Sequence, residues 1–337
     1  MTRVAGIDPG TVSFDVCVLD AGEVVLERSF ATADVGADPA LLVDTLLEHG
    51  PFDVVLGPAG YGLPLVPAEQ VGERELALIV LVRSDEPSGP AGVGGMRAIV
   101  RALLAAGLPL VFGPGAIHLP SIPAYRKWNR IDLGTADKVA SAALCIAEQA
   151  SRLGVGIDQT SFVLLELGGA FSAGLAVDGG RIVDGLGGSA GPIGARACGA
   201  MDAEVAYLLG AALSKRTVFS GGALETPDGD GWLALEEGAA KAALALTISA
   251  PHPREILLTG RHAPRLLDGL SARLAHVAPV RLTAASATAA ARGAAVLADG
   301  LAGGRHAALV ERLGVRDASG SALDHLRIHG AESIRLR

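Results

Sequence analysis

The chain has 337 residues, half of them hydrophobic and 19% charged, with 45 glycines and a formal charge of −8. That mixture specifies globular α/β lobes with many tight turns and excludes a disordered or fibrous chain. No Lys/Arg cluster offers a footprint for a phosphate backbone, so no nucleic-acid partner is expected.

The opening residues read as a meander: a strand at Arg3 to Asp8, then strands at Phe14 to Leu19 and Glu23 to Phe30 around the turn Asp20-Ala21-Gly22. Pro39 to Glu48 has helical periodicity, Phe52 to Leu56 reads as a buried strand, and Gly57 to Pro67 as a loop. The apolar run Leu76 to Arg83 reads as a further strand. Gly94 to Ala106 is a helix stopped by Gly107, before a strand at Leu108 to Phe112. The charge-free stretch Ala102 to Tyr125 is too broken by proline and glycine to span a membrane.

A helix from about Gly134 to Leu153 follows, and then the opening pattern returns. Strands at Ser161 to Leu167, Phe171 to Val177 and Arg181 to Val183 repeat the meander around Asp178-Gly179-Gly180. Helices at Met201 to Leu213 and Trp232 to Ser249 precede a strand at Glu255 to Thr259 and a helix at Pro264 to Ala275. A strand at Val280 to Thr283 and a helix at Ala287 to Asp299 complete the pattern. Two meanders, each followed by alternating elements, imply two similar α/β lobes, residues 1–133 and 134–337. The tail Ser319 to Arg337 reads either as a helix returning to the first lobe or as an extension. Cys17, Cys145 and Cys198 lack metal spacing and suit a reduced compartment; with no apolar leader after Met1, a cytoplasmic protein is expected.

Three strand ends carry chemistry. Gly6-Ile7-Asp8-Pro9-Gly10-Thr11-Val12-Ser13 places a carboxylate before a glycine turn and hydroxyls, which suits hydrated Mg²⁺ and phosphate oxygens. Glu166-Leu167-Gly168-Gly169-Ala170-Phe171-Ser172 repeats that order. Glu255 to Thr259 stops at Gly260, where a strand end can pass a nucleotide. Each turn alone is also what an ordinary hairpin or βα corner would show; their occurrence in both lobes argues for a shared site. Thr135 is a candidate N-cap, and the helix it opens favours an anion. Arg130 can clamp a carboxylate or phosphate, with Asp137 and Lys138 on the first turn beside it. No Gly-x-Gly-x-x-Gly follows the first strand, which argues against a dehydrogenase.

Together these elements resemble the phosphate-1, phosphate-2 and adenosine segments of the superfamily of acetate kinases, sugar kinases, heat-shock chaperones and actin. Gly6 to Thr11, Gly57-Pro58-Ala59-Gly60-Tyr61-Gly62, His118 to Pro123, Asn129 to Lys138 and Glu166 to Phe171 further resemble a prokaryotic butyrate kinase-like family, over a match reaching about Ala318. The resemblance implies two actin-like lobes, each a mixed sheet flanked by helices, with a nucleotide cleft between them. It implies a phosphotransferase using ATP and Mg²⁺ on a small carboxylate or alcohol. Asp8, Gly10, Thr11, Ser13, Glu166, Gly168, Gly169, Thr259 and Gly260 would bind the nucleotide, Asp8 and Glu166 holding Mg²⁺ through water. Arg196, in Gly191-Pro192-Ile193-Gly194-Ala195-Arg196, looks like the arginine that stabilises a transferring phosphoryl group. Arg130 and Asp137 complete the catalytic set, and Tyr61, His118, Asn129, Thr135 and Lys138 the acceptor side. No Asp precedes His118 as in acetate kinases, so Asp132 or Asp137 would serve an alcohol as base. Relatives are often dimers, so a homodimer is expected. Two other readings stay open: an ATPase of this fold acting on a partner protein, and a member of the fold without turnover.

Overall fold

Strand alternation and two positive-φ residues, Ala21 and Gly22, build the opening hairpins: Arg3–Pro9 (β1), Ser13–Asp20 (β2) and Glu23–Ala31 (β3) pair antiparallel in turn. The computed structural model describes residues 2–86, 93–226 and 229–337. After β3 come Thr32–Ala37 (α1), Ala40–His49 (α2), Val54–Gly57 (β4), Val66–Pro67 (β5), Glu73–Val80 (α3), Val93–Ala105 (α4), Leu110–Phe112 (β6) and Ala124–Lys127 (α5). The long helix Ala136–Leu153 (α6) leads to a second meander, Ser161–Leu167 (β7), Ser172–Asp178 (β8) and Arg181–Leu186 (β9). Ala203–Leu209 (α7), Lys215–Val218 (α8), Gly231–Leu246 (α9), Glu255–Thr259 (β10), Ala263–Leu274 (α10), Val280–Leu282 (β11), Ala289–Leu301 (α11) and Ala307–Leu313 (α12) follow.

The strands form two mixed sheets, ordered β3-β2-β1-β4-β6-β5 and β11-β10-β7-β8-β9. Within each strand, alternate residues enter different cores, as the two-residue period requires. Val4, Cys17 and Leu19 of the first sheet join Phe162, Leu164, Leu175 and Leu257 of the second in one central core with α6 and α11. Ala5, Ile7, Phe14 and Val16 face an outer core of the first lobe. Val163, Leu165 and Leu167 face the corresponding outer core of the second. The parity has a consequence for polar residues. Asp8 and Asp15 share the phase of Val4 and Cys17, while Glu166 and Thr259 share that of Leu164 and Leu257. All four therefore belong to the interlobe face.

Helix α11 is drawn into this layer by small side chains. Ala291, Ala294, Ala295 and Ala298 are buried, and the helix lies so close to β1 that a Cβ on Gly6 would stand 2.2 Å from the Ala295 nitrogen. The first sheet is thus covered by a helix that follows the second sheet in sequence.

One expected strand is a helix. Leu76 to Arg83 lies mostly in α3, whose residues Leu76 to Val80 are all buried. A fully buried apolar run has no polar face to reveal its period, and Gly72 with Glu73 and Glu75 supplies a helix start instead. The Gly72 amide donates to Glu75 Oε2 at 3.0 Å. The tail runs back to the first lobe through turns and a short 3-10 helix at Ala331–Ser333: Arg83 and Leu336 form a bridge, and Ser84 N donates to Arg335 O at 3.0 Å. Among the described residues no helix is long and apolar enough to cross a membrane.

Candidate functional site

The two glycine turns meet. A Cβ on Gly169, in the second turn, would come within 2.7 Å of Val12 Cγ2 in the first, so only hydrogen fits there. Thr32 holds the first turn from below, its hydroxyl donating to Gly10 O at 2.7 Å and its amide to Val12 O at 3.0 Å. In the second, Gly168 N donates to Phe171 O at 2.9 Å. Thr259 stands beside Glu166 in the parallel β7–β10 register, and Gly260 turns away at φ +94°. The structure therefore brings all three strand-end motifs to one place.

Four carboxylates and one ammonium gather there. Asp8 and Asp15 are cross-strand partners on β1 and β2. Like charges directly opposite one another are unfavourable unless a cation lies between. Lys138, 14% exposed, donates to Glu166 Oε1 at 2.6 Å and also to Asp137 Oδ2. Ser141 Oγ donates to the other Glu166 oxygen at 3.2 Å. Asp8 Oδ1 and Asp15 Oδ1 are buried without a hydrogen-bond partner among the described residues. Burial, reinforced by Asp137, Glu166 and Asp15 against the pull of Lys138, drives the Asp8 carboxyl well above the ordinary aspartate value. Burial likewise raises Glu166 despite Lys138. For Lys138, burial works downward, but Asp137 and Glu166 outweigh it and hold the ammonium charged.

The remaining expected residues divide. Thr135 occupies the N-cap position of α6, but its hydroxyl donates to Asp137 Oδ1 and accepts from no helix amide, so it supplies no side-chain cap. Ser13 Oγ is engaged by Asp15 Oδ2 at 3.0 Å, and Thr11 is exposed at the turn. Arg196 is tied beside the second turn, its amide donating to Ala170 O at 3.0 Å, while its side chain lies 3.7 Å from Glu225 and is 58% exposed. Arg130 is exposed, without a side-chain hydrogen bond or ion pair among the described residues.

Two acceptor-side residues have other tasks. Asn129 Oδ1 accepts from Arg327 N at 2.6 Å, and its amide donates to His325 O, so it fastens the C-terminal tail. His118 is buried, its Nδ1 3.2 Å from Gly115 O, and burial lowers its pKa to about 4. Asp132 is not a free base either. Its oxygens accept from Gly134 N, Ser189 N and Ser189 Oγ at 2.9–3.0 Å, binding the Gly187–Ser189 loop to the start of α6. Tyr61 meets Lys215 from the second lobe, its hydroxyl 2.9 Å from Nζ.

Sequence reading missed Asp15, Ser141 and Lys215. The first had a signal: in a hairpin turning through Gly10-Thr11-Val12-Ser13, with Pro9 opposite Phe14, Asp15 opposes Asp8. A small cavity lies alongside, lined by Asp137, Ala136, Gly60, Pro9 and Gly113 among others.

Two mixed sheets flanked by helices, with strand ends converging between them, define the two-lobed actin-like kinase fold. Solved structures share it: a propionate kinase from Francisella tularensis subsp. tularensis SCHU S4 at TM-score 0.59 and 13% identity, covering 87% of this chain and 99% of that one. An acetate kinase from Entamoeba histolytica follows at TM-score 0.56 and 11% identity, covering 82% and 87%. One from Porphyromonas gingivalis gives 0.51 and 13%, covering 78% and 84%. No curated protein matches the sequence. Residues 6–328 match the model of the family described as "Protein of unknown function (DUF1464)", and the chain belongs to that family.

Proposed function

We propose that this protein is a Mg-ATP-dependent phosphotransferase whose acceptor is a small carboxylate, in the manner of a butyrate kinase. The observation that carries the reading is the buried, unpartnered oxygen of Asp8 at the meeting point of two glycine turns. Four carboxylates against one ammonium leave an excess of negative charge that a divalent cation would balance. Among the described residues no three His, Cys, Asp or Glu side chains are set to hold a metal directly. Mg²⁺ keeps several waters and needs only one or two carboxylates to orient it. Asp8 would hold it, with Asp15 behind and Glu166 across the cleft. Bound to ATP, Mg²⁺ supplies charge neutralisation at the transferring phosphoryl group.

The chain's own residues account for the rest. The Gly10 and Gly168-Gly169 turns, whose glycines pack closely on Ser13 O, Phe171 O and Val12, would take the phosphates, and Thr259-Gly260 edges the same space. Lys138 fixes Asp137 and Glu166 in place. Arg196, tethered beside the second turn with its guanidinium exposed and facing Glu225 at 3.7 Å, would leave that carboxylate to reach a phosphoryl group. An ionised carboxylate needs no general base to attack, which agrees with Asp132 being fully hydrogen-bonded. The names of the propionate and acetate kinases that share the fold support this acceptor class. A second reading, a member of the fold without turnover, is favoured by one contact: Glu166 is already engaged by Lys138 and Ser141.

Calorimetric titration with ATP, with and without Mg²⁺, separates the two. Magnesium-dependent binding that Asp8→Ala removes, followed by hydroxamate formation from short carboxylates in hydroxylamine, supports the kinase. Folded protein that ignores millimolar nucleotide leaves only the second reading.

A further inference from the structure

The chain has four lysines, Lys127, Lys138, Lys215 and Lys241, against 24 arginines. Where arginine is so dominant, a partly buried lysine is chemically informative, because it presents a compact charge that can titrate. Lys215 opens α8 in the second lobe and reaches into the first. Its Nζ lies 2.9 Å from Tyr61 Oη, 4.5 Å from the centre of the Tyr61 ring and 5.2 Å from that of Phe219. Among the described residues its Nζ forms no ion pair; it donates to Tyr61 Oη, and Asp132 and Glu86 act at longer range. Both have other partners: Asp132 holds Gly134 and Ser189, and Glu86 Oε1 accepts from the Lys215 backbone amide at 2.8 Å. Burial lowers the Lys215 pKa to about 8. A partly desolvated ammonium with no ion-pair partner among the described residues can accept an anion.

Its position says which anion. Phe219 meets Phe171 edge-on, ring centres 4.9 Å apart, and Phe171 ends the second glycine turn. On the other side, Gly60, next to Tyr61, accepts from Ala136 N at 3.0 Å, at the start of the helix bearing Asp137 and Lys138. Lys215 thus stands between two arms that both lead to the acid cluster, with aromatic rings beside it.

Resting on the phosphotransferase reading, we propose that Lys215, flanked by Tyr61 and Phe219, is the acceptor-recognition point, pairing with the carboxylate of a short-chain acid while the rings cover its alkyl tail. A small apolar anion fits this setting better than phosphate, which would bring more charge and no surface for the rings.

The test is lysine footprinting with an acetylating N-hydroxysuccinimide ester, read by mass spectrometry, on wild-type protein. Butyrate and propionate should slow labelling of Lys215 but not of Lys241, and inorganic phosphate should not. Equal protection by phosphate, or no protection by either acid, overturns the assignment. Kinetics add a second reading: Lys215→Met should raise the carboxylate KM about 10- to 100-fold, the worth of a charged hydrogen bond, with the ATP KM unchanged. Lys215→Arg should recover binding and remove the rise in carboxylate KM expected of wild type above pH about 8, where Lys215 would lose its proton. A carboxylate KM unmoved in a folded, active Lys215→Met variant also refutes the idea. Absence of Mg-ATP binding would sink the kinase reading, yet the footprint would still report on Lys215.

Discussion

The two glycine turns look alike in sequence and differ in electrostatics. The first carries Asp8 with an orphaned oxygen and a like charge opposite it; the second carries Glu166 with both oxygens engaged, by Lys138 and by Ser141. The same strand–acid–glycine pattern thus stands in two settings: one acid keeps an unpartnered oxygen, and the other is paired with an ammonium and a hydroxyl. The difference lies in what faces each strand end. Asp8 meets another carboxylate across its hairpin, whereas Glu166 meets the first turn of α6.

The largest expected contrast is in ligand binding. Asp8→Asn should weaken Mg²⁺-dependent nucleotide binding about 10- to 100-fold, the usual range for groups that orient a metal's ligands; Glu166→Gln should cost less. Calorimetry giving the reverse order would break the comparison. Stability should invert the ranking. Glu166→Gln strands part of a buried ammonium and should cost about 1–3 kcal/mol in denaturant unfolding. Asp8→Asn, by removing a repelled carboxylate, should leave metal-free protein as stable as wild type or more so.

The pH dependence sharpens this. Asp8 binds its proton more tightly folded than unfolded, so its contribution is complete below 3.8, the ordinary value, and disappears as pH rises through the raised folded value. Metal-free wild type should lose stability along that rise, and Asp8→Asn should lose less; parallel melting curves would refute the stress at the first turn. The smallest effect belongs to Ser141→Ala, about 1 kcal/mol of stability with nucleotide affinity unchanged.

Much of the site was legible from period and turn chemistry. Asp8, Glu166 and Thr259 could be found as the last inward-facing residues of their strands, and the hairpin turn dictated that Asp15 face Asp8. Lys215 was not legible, since its burial comes from Tyr61 and Phe219, distant in sequence or outside any strand pattern. Nor was the helical character of Leu76 to Val80, because a segment buried all round loses its amphipathic signature. Asn129 and His118 stood out as motif residues, and their contacts are internal: Asn129 bonds the tail and His118 lies buried against Gly115.

Helix α11 lies on β1, β2 and β4, closing the interlobe face of the first sheet from residues 289–301. For a chain made from its N-terminus, this has a price in time. The first meander emerges from the ribosome early, with Val4, Cys17 and Leu19 ready for a cover that is synthesised only after the whole second sheet. Until then that apolar face is bare, and the first half cannot mature as an independent folding unit. Synthesis interrupted before residue 289 should therefore leave an aggregation-prone nascent chain rather than a finished lobe.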